Sequence, residues 1–353
     1  MHFIEIIQNT MTNKEIIGAI SSTLLIIMLG YYLRYKDIFS DRIAKTMSDI
    51  AMQVALPCMA FNAFMQDIND EKMKQGIYLL LWGFVVYFFL IIFSKVLYFK
   101  FDRQKEDVLR IMTVFGSATF YGTPICAALY GPIGVMYSSI YNIGYRAYLY
   151  SYGVMKMSGL KFEKKNFKQM VGNPVLIATI LGMIIWWFQN SMPQISVLNP
   201  ENNELVSYGI LRIDQSAYWL YKPMTYLASL ASPLAWMSIG ATLGSIRISE
   251  AASNKISWLY TFNKLITIPI VSIFLLFIGT AIGLFHFDAY GIGVVVIMAA
   301  TPAATITASL AISYDKEALL ASNATLISTV VAVILTPVWI ILIDILANLP
   351  FFK

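Results

Sequence analysis

The sequence predicts an all-α membrane protein of about ten transmembrane helices in two inverted five-helix halves. Three observations carry that expectation: an apolar composition, apolar runs of membrane-spanning length, and basic residues that alternate between successive breaks. Of the 353 residues, 58% are hydrophobic and 13% charged, and the mean hydropathy is +0.67. Soluble domains carry about 25% charged residues, so most of this chain's surface must face something other than water. Runs of roughly 20 apolar residues, enough to cross ~30 Å of hydrocarbon, recur from Glu15 almost to the C-terminus. They leave no stretch long enough for a separate soluble domain. The opening segment, Met1 to Lys14, contains Glu5 but neither a basic n-region nor a small-residue cleavage site. The first run is therefore expected to be a retained helix rather than a signal peptide.

Cutting the chain at its polar and turn-rich breaks predicts spans Glu15–Leu33, Ile43–Phe64, Gln75–Phe99, Asp107–Tyr130, Ile133–Met155, Phe167–Gln189, Ala217–Leu243, Ile256–Leu284, Asp288–Ser313 and Lys316–Leu346. Cytoplasmic loops are enriched in Lys and Arg. Arg34, Lys36, Arg42 and Lys45 place the first break inside, whereas Asp67, Asp70 and Glu71 offset Lys72 and Lys74 in the second. Lys100, Arg103, Lys105 and Arg110 mark the third break as cytoplasmic; Lys156, Lys161, Lys164, Lys165 and Lys168 mark the fifth; Arg247 and Lys255 mark the seventh. The Gly131-Pro132 turn, the Glu201/Glu204/Asp214 stretch and the His286/Asp288 turn fall on the other side and are poor in base. Both termini are thus expected outside a cell (inner) membrane. Because five is odd, a duplicated five-span unit must insert its second copy upside down. Residues 15–158 and 167–347 are the expected repeats, with Ala55-Leu56-Pro57 answered by Ala231-Ser232-Pro233 and Thr123-Pro124 by Thr301-Pro302.

Those prolines direct attention to a site. The fourth span reads Gly116-Ser117-Ala118-Thr119-Phe120-Tyr121-Gly122-Thr123-Pro124, and the ninth reads Ala299-Ala300-Thr301-Pro302-Ala303-Ala304-Thr305-Ile306-Thr307. Proline removes a backbone donor and clashes with the preceding turn. At membrane depth the groups it frees are tolerated only where protein or a water-filled cavity satisfies them. A half-helix starting at such a break aims free N–H groups and a positive dipole end into the gap, which suits a carboxylate. A simple proline kink held by neighbouring helices is the competing reading, and the matched pair weighs against it. Arg146 lies near the middle of the fifth span, where a cation costs at least about 3 kcal/mol and normally faces a cavity or partner. Its alternatives are hydrogen bonds to helix carbonyls or a reach toward the headgroups. Lys222, nearer the outer end of the seventh span, is expected to snorkel.

No span carries a carboxylate near its centre; Asp49, about two turns ahead of Pro57, reads as a cytoplasmic-end residue. Cys58 and Cys126 fall inside apolar runs without metal-ligand spacing and read as small core residues. Nothing resembles a nucleotide-binding loop, a metal site or a nucleophile–base pair, so no enzyme activity and no cofactor are expected.

Taken in order, Gly30-Tyr31-Tyr32-Leu33-Arg34, Val54-Ala55-Leu56-Pro57, Gly122-Thr123-Pro124, Gly172-Asn173-Pro174, Ser232-Pro233-Leu234-Ala235, Ile239-Gly240-Ala241-Thr242-Leu243, Ala300-Thr301-Pro302 and Ser328-Thr329 resemble the auxin efflux carrier family over nearly the whole chain. That resemblance implies the fold of bile-acid symporters and sodium/proton antiporters, with crossing broken helices in spans four and nine. It further implies a scaffold of spans one, two, six and seven, a mobile unit of spans three to five and eight to ten, and small organic anions such as malate, malonate or auxin as substrates. Where the family often has asparagines, this chain has Ser117, Gln53 and, near the ninth-span proline, Ile306, so the particular anion does not carry over. The absence of the plant carriers' long central loop favours a prokaryotic member.

The expected function is a secondary transporter of mono- or dicarboxylates by an elevator-type mechanism, with a membrane sensor or scaffold of the same fold, or an anion channel, as alternatives. The expected binding residues are Gln53, Pro57, Ser117, Thr119, Gly122, Thr123, Pro124, Arg146, Thr301, Pro302 and Thr305. The expected partners are the organic anion, the lipid bilayer and, optionally, a second copy in a homodimer, with no nucleic acid. With no central carboxylate, movement of the anion along the membrane potential is expected at least as much as proton symport.

Overall fold

Polar side chains at the ends of the apolar runs set where the helices begin. The computed structural model describes residues 12–159, 164–198, 205–245, 251–349 and 351; Lys161, Glu201, Glu204 and Arg247, which helped to assign sides, lie outside the described residues. Asn13 accepts the Glu15 amide at 2.9 Å and opens α1 (Lys14–Tyr35). Ser40 opens α2 (Asp41–Ile50), which runs through a π-helical turn, Ala51–Ala55, into α3 (Leu56–Asn62). Asn69 accepts the Lys72 amide at 2.8 Å and opens α4 (Asp70–Tyr98). Each of these side-chain oxygens satisfies one of the N–H groups that a helix start leaves free.

Asp102 opens α5 (Arg103–Val114), which stops at Phe115. Helical structure resumes as a π turn, Ala118–Gly122, and continues as α6 (Thr123–Tyr148). Gly131, at φ 57°, takes a left-handed conformation that suits glycine and, with Pro132 behind it, divides α6 into the end of one run and the start of the next. A second π turn, Leu149–Gly153, leads into α7 (Val154–Ser158). Next come α8 (Lys164–Val171) and α9 (Pro174–Phe188), the latter opened by Asn173. An antiparallel pair follows, β1 (Gln194–Leu198) and β2 (Leu205–Gly209), with Gln194 opposite Gly209. This hairpin departs from the all-α expectation and sits between the sixth and seventh apolar runs.

The remaining elements are α10 (Ile213–Ser216), α11 (Tyr218–Ser229), α12 (Ala231–Ser245), α13 (Lys255–Phe262), a π turn at Asn263–Thr267, α14 (Ile268–Ala281), α15 (Ala289–Ala299), α16 (Thr305–Ser313) and α17 (Ala318–Ala347). Five helices, Lys14–Tyr35, Asp70–Tyr98, Tyr218–Gly244, Lys255–Ala281 and Ala318–Ala347, are long and apolar enough to cross a membrane. Their outer faces expose Leu25, Phe88, Phe274 and Ile334, a pattern that suits lipid rather than water.

Glycine lets two helix pairs approach closely, as small residues do between membrane helices. A Cβ at Gly30 of α1 would strike the backbone of Met237 in α12, and one at Gly240 would strike Ile27. A Cβ at Gly83 of α4 would meet the Tyr141 carbonyl in α6, and one at Gly144 would meet Gly83 and Phe84 in return. Tyr87, Phe115, Tyr141 and Tyr145 fill the space behind the end of α5 with ring contacts of 5.5–6.1 Å.

One expectation about the breaks is corrected. The interruption in the fourth run lies at Phe115–Ser117, ahead of Pro124 rather than at it. Pro124 follows the π turn Ala118–Gly122, so helical structure has already begun ahead of it, and its missing N–H leaves one carbonyl of that turn without a helical donor. In the ninth run Pro302 does lie within the non-helical segment, between Ala299 and Thr305.

Candidate functional site

The two non-helical segments cross. Gly116 and Ala303 face each other as an isolated antiparallel bridge, and the Ser117 N–H donates to the Pro302 carbonyl at 2.8 Å. The Ala303 N–H donates to Ser328 Oγ of α17 at 3.2 Å. Backbone released from helices thus finds partners within the protein, as it must at membrane depth. The helical run that starts at Ala118 and continues as α6, and α16 starting at Thr305, both begin at this crossing and turn free N–H groups and partial positive charge toward it.

The side chain at the centre of the crossing is not among the residues singled out from sequence. Lys264 lies in the π turn between α13 and α14 and is 1% exposed. A Cβ at Gly116 would lie 2.6 Å from Lys264 Nζ and would also strike Thr301 Oγ1. The lysine tip therefore fills the notch that Gly116 leaves, against both breaks at once. Its turn is held in place: Trp339 Nε1 donates to the Leu265 carbonyl at 3.0 Å, and Tyr260 OH donates to the Met112 carbonyl in the last turn of α5 at 3.1 Å. π-Helical turns recur at functional positions because the extra residue re-aims a side chain. Among the described residues Lys264 makes no ion pair and no hydrogen bond.

Arg146 reaches the same region from α6. It is 3% exposed, its Nη2 donates to Thr119 Oγ1 at 3.1 Å, and its Nη1 has no partner among the described residues. Ser139 and Asn142 share its helix face, seven and four residues back, and Ser139 Oγ and Asn142 Oδ1 are also buried without partners. A line of unanswered polar groups thus runs along α6 to the break.

The structure brings together several of the expected site residues. Ser117, Thr301 and Pro302 lie in the crossing, and a Cβ at Gly122 would sit 3.1 Å from Thr301 Cγ2. Thr119 receives Arg146, while Thr123 and Pro124 are buried in the first turn of α6, where Thr123 Oγ1 donates to the Ala118 carbonyl at 3.4 Å. Thr305 opens α16 but is exposed. Gln53 is exposed and Pro57 half-buried on the α2–α3 helix, which meets the crossing through Phe120 packed beside Ala55 and Leu56. Asp49 is exposed, and so is Lys222, whose Nζ lies 5.2 Å from the Tyr226 ring centroid.

Beside the crossing lies a cavity of about 1000 Å³ between α1, α3, the first turns of α6, and α11–α12. It touches α6 at Ala127 and Ala128, about one turn beyond Thr123. Asn62, whose amide nitrogen and oxygen have no partner, and Trp236, whose indole N–H has none, both line it. Lys264, Arg146 and Thr301 do not line it.

Residues 15–340 match the membrane transport protein family. The chain belongs to that family. The resemblance to the auxin efflux carriers therefore holds, and the chain is a multi-pass membrane protein of a transporter family. It is 21% identical to an uncharacterized transporter of Methanocaldococcus jannaschii over 323 residues, covering 90% of this chain and 95% of that protein. An uncharacterized transporter of Methanothermobacter thermautotrophicus is 23% identical over 331 residues, again 90% and 95% of the two chains.

The residue missed from sequence carried the signal that drew attention to Arg146. Lys264 is a charge well inside the apolar run Ile256–Leu284, and a cation at that depth is costly enough to need a reason.

Proposed function

We propose that this transporter carries small organic anions, mono- or dicarboxylates, and that the anion binds at the crossing of the two helix breaks. One observation carries the reading: two basic side chains, Arg146 and Lys264, are buried at that crossing, and neither is ion-paired among the described residues. A buried charge is strongly disfavoured unless something pairs with it. An anion would supply the missing charge, and the N-terminal ends of α6 and α16 add to the attraction. The Ser117, Thr119 and Thr301 hydroxyls and the Arg146 Nη1 group offer hydrogen-bond donors around it.

The packing supports a transport path. α1 and α12 are locked together at Gly30 and Gly240, α4 and α6 at Gly83 and Gly144, and the cavity opens between the α1–α12 pair and α6. In the proposed mechanism spans one, two, six and seven stay fixed while spans three to five and eight to ten move the closed crossing past them. The succession of long helix, broken helix and long helix over 70–158 and again over 255–347 supports two five-span repeats of opposite orientation. The alternation of basic residues supports an inner-membrane protein with both termini outside. A homodimer is compatible with this arrangement.

Uptake of radiolabelled dicarboxylates into proteoliposomes tests the reading. Saturable uptake that is stimulated by unlabelled substrate on the opposite side, and is lost in the double variant Pro124→Ala plus Pro302→Ala, is expected. Saturable binding without counterflow would instead indicate a sensor, and non-saturating conductance a channel.

A further inference from the structure

We propose that Lys264 is the coupling group of the transporter: it takes up a proton together with the anion at the crossing and gives both up on the other side. This inference rests on the carrier reading above and adds a proton to each transported anion.

The geometry separates the two cations. Arg146 has a hydrogen-bond partner in Thr119, and a guanidinium keeps its proton at any physiological pH. It contributes a fixed charge to loaded and empty states alike. Lys264 has no acceptor for its amine among the described residues, is buried, does not line the cavity, and lies against Gly116 and Thr301 where the substrate would sit. A lysine amine, unlike a guanidinium, is a group that can exist in either protonation state within a protein. Charging it in that enclosure is favourable only when a counter-charge arrives with the proton.

The elements around Lys264 supply no competing titratable partner. α13 contributes the Tyr260 phenol, which is spent on the Met112 carbonyl, and α4 contributes Tyr98, which bonds Thr113. α5 carries Glu106 and Arg110, paired with each other, and Asp107, paired with Lys156. α17 has no ionisable residue between Ala318 and Ile343, and neither α14, α16 nor the two breaks carries one. Arg146 on α6 is the other charge at the crossing.

The cycle balances. Outside, the neutral amine gains a proton as the anion binds; the loaded unit moves; inside, anion and proton leave, and the empty unit returns with Lys264 neutral. The net charge carried is that of the anion plus one. Movement of a monoanion is then electroneutral, and a dianion carries a single negative charge.

Proteoliposomes enclosing a pH-sensitive dye and given radiolabelled malonate, a dianion that does not cross bilayers by itself, test the proposal. Wild-type protein is expected to acidify the lumen by one proton per malonate taken up, with protein-free vesicles as the blank. Lys264→Arg, with a fixed charge, removes the titrating group from the site and is expected to lower uptake, and whatever malonate it still moves should cross without the proton signal. Lys264→Gln serves as the second variant: any malonate movement it retains should be proton-free and should respond to an imposed membrane potential with two negative charges per malonate. Malonate uptake by the wild type without protons, or unchanged proton movement in both variants, would overturn the coupling and leave the carrier reading standing. If neither malonate nor any other dicarboxylate of the uptake panel is moved, the carrier reading and this inference fall together.

Discussion

Two arginines in this protein are equally hidden and oppositely equipped. Arg212 and Arg146 are each 3% exposed. Arg212, between the hairpin and α10, donates to Asp214 at 2.8 and 2.9 Å, to Asp67 at 2.9 Å and to Gln189 at 2.6 Å, joining three segments of chain. Burial works against its charge, but the hydrogen bonds to Asp214 and then Asp67 outweigh that, and its pKa lies above the ordinary arginine value. Arg146 has one hydroxyl partner and a bare Nη1. A buried arginine that is fully answered serves the fold, whereas one left unanswered keeps its hydrogen bonds for something that arrives later. Lys264 belongs with the second kind.

Substitution turns this contrast into measurements. The largest effect is expected at Arg212→Gln, which leaves Asp214 buried without its cation. Stability should fall by about 3 kcal/mol, the low end for breaking a buried pair because Asp67 is largely exposed. Thermal unfolding in detergent reads this, and transport per folded molecule should stay close to wild type. Arg146→Gln should do the reverse. Losing a charged hydrogen-bond donor to the substrate is worth about 1.5–3 kcal/mol, roughly 10- to 100-fold in transport at limiting substrate. The unfolding temperature should hold or rise, because an unpaired buried charge has gone. Loss of fold at Arg146 together with loss of transport at Arg212 would invert the comparison.

Smaller effects test the surroundings. Tyr260→Phe removes the bond to the Met112 carbonyl and should cost about 1 kcal/mol of stability, visible as a lower denaturant midpoint with an unchanged slope. Ser139→Ala deletes a buried hydroxyl with no partner and should change stability by no more than about 0.5 kcal/mol, in the stabilising direction if at all. A larger loss at Ser139 would mean that its oxygen is already satisfied in the empty protein, for instance by water.

Much of the framework was legible in the sequence because it depends on local chemistry. Asn13, Asn69, Asn173, Asn254 and Asp288 stand at the edges of apolar runs, and each caps the helix that follows. The small-residue and proline stretches around Ser117 and Thr301 marked where helices would break, although the fourth-run break fell at Phe115–Ser117, one π turn ahead of Pro124. The hairpin at 194–209 was not legible, since the five-residue alternation of Gln-Ile-Ser-Val-Leu is too short to stand out beside the long apolar runs and its pairing partner, 205–209, lies further along the chain.

The sequence by itself determined that the chain is a multi-pass membrane protein of this family, with Arg146 as a costly charge near two paired interruptions. Only the tertiary structure decided which residues share a site. It carried Lys264 from a separate helix into the notch at Gly116, left Gln53 and Thr305 exposed, and set Thr119 against Arg146. The physical reason is one of range. Caps, turns and apolar runs are governed by residues a few positions apart, whereas whether a buried charge is answered depends on groups that other elements bring to it, such as Thr119 for Arg146 and Asp67 for Arg212.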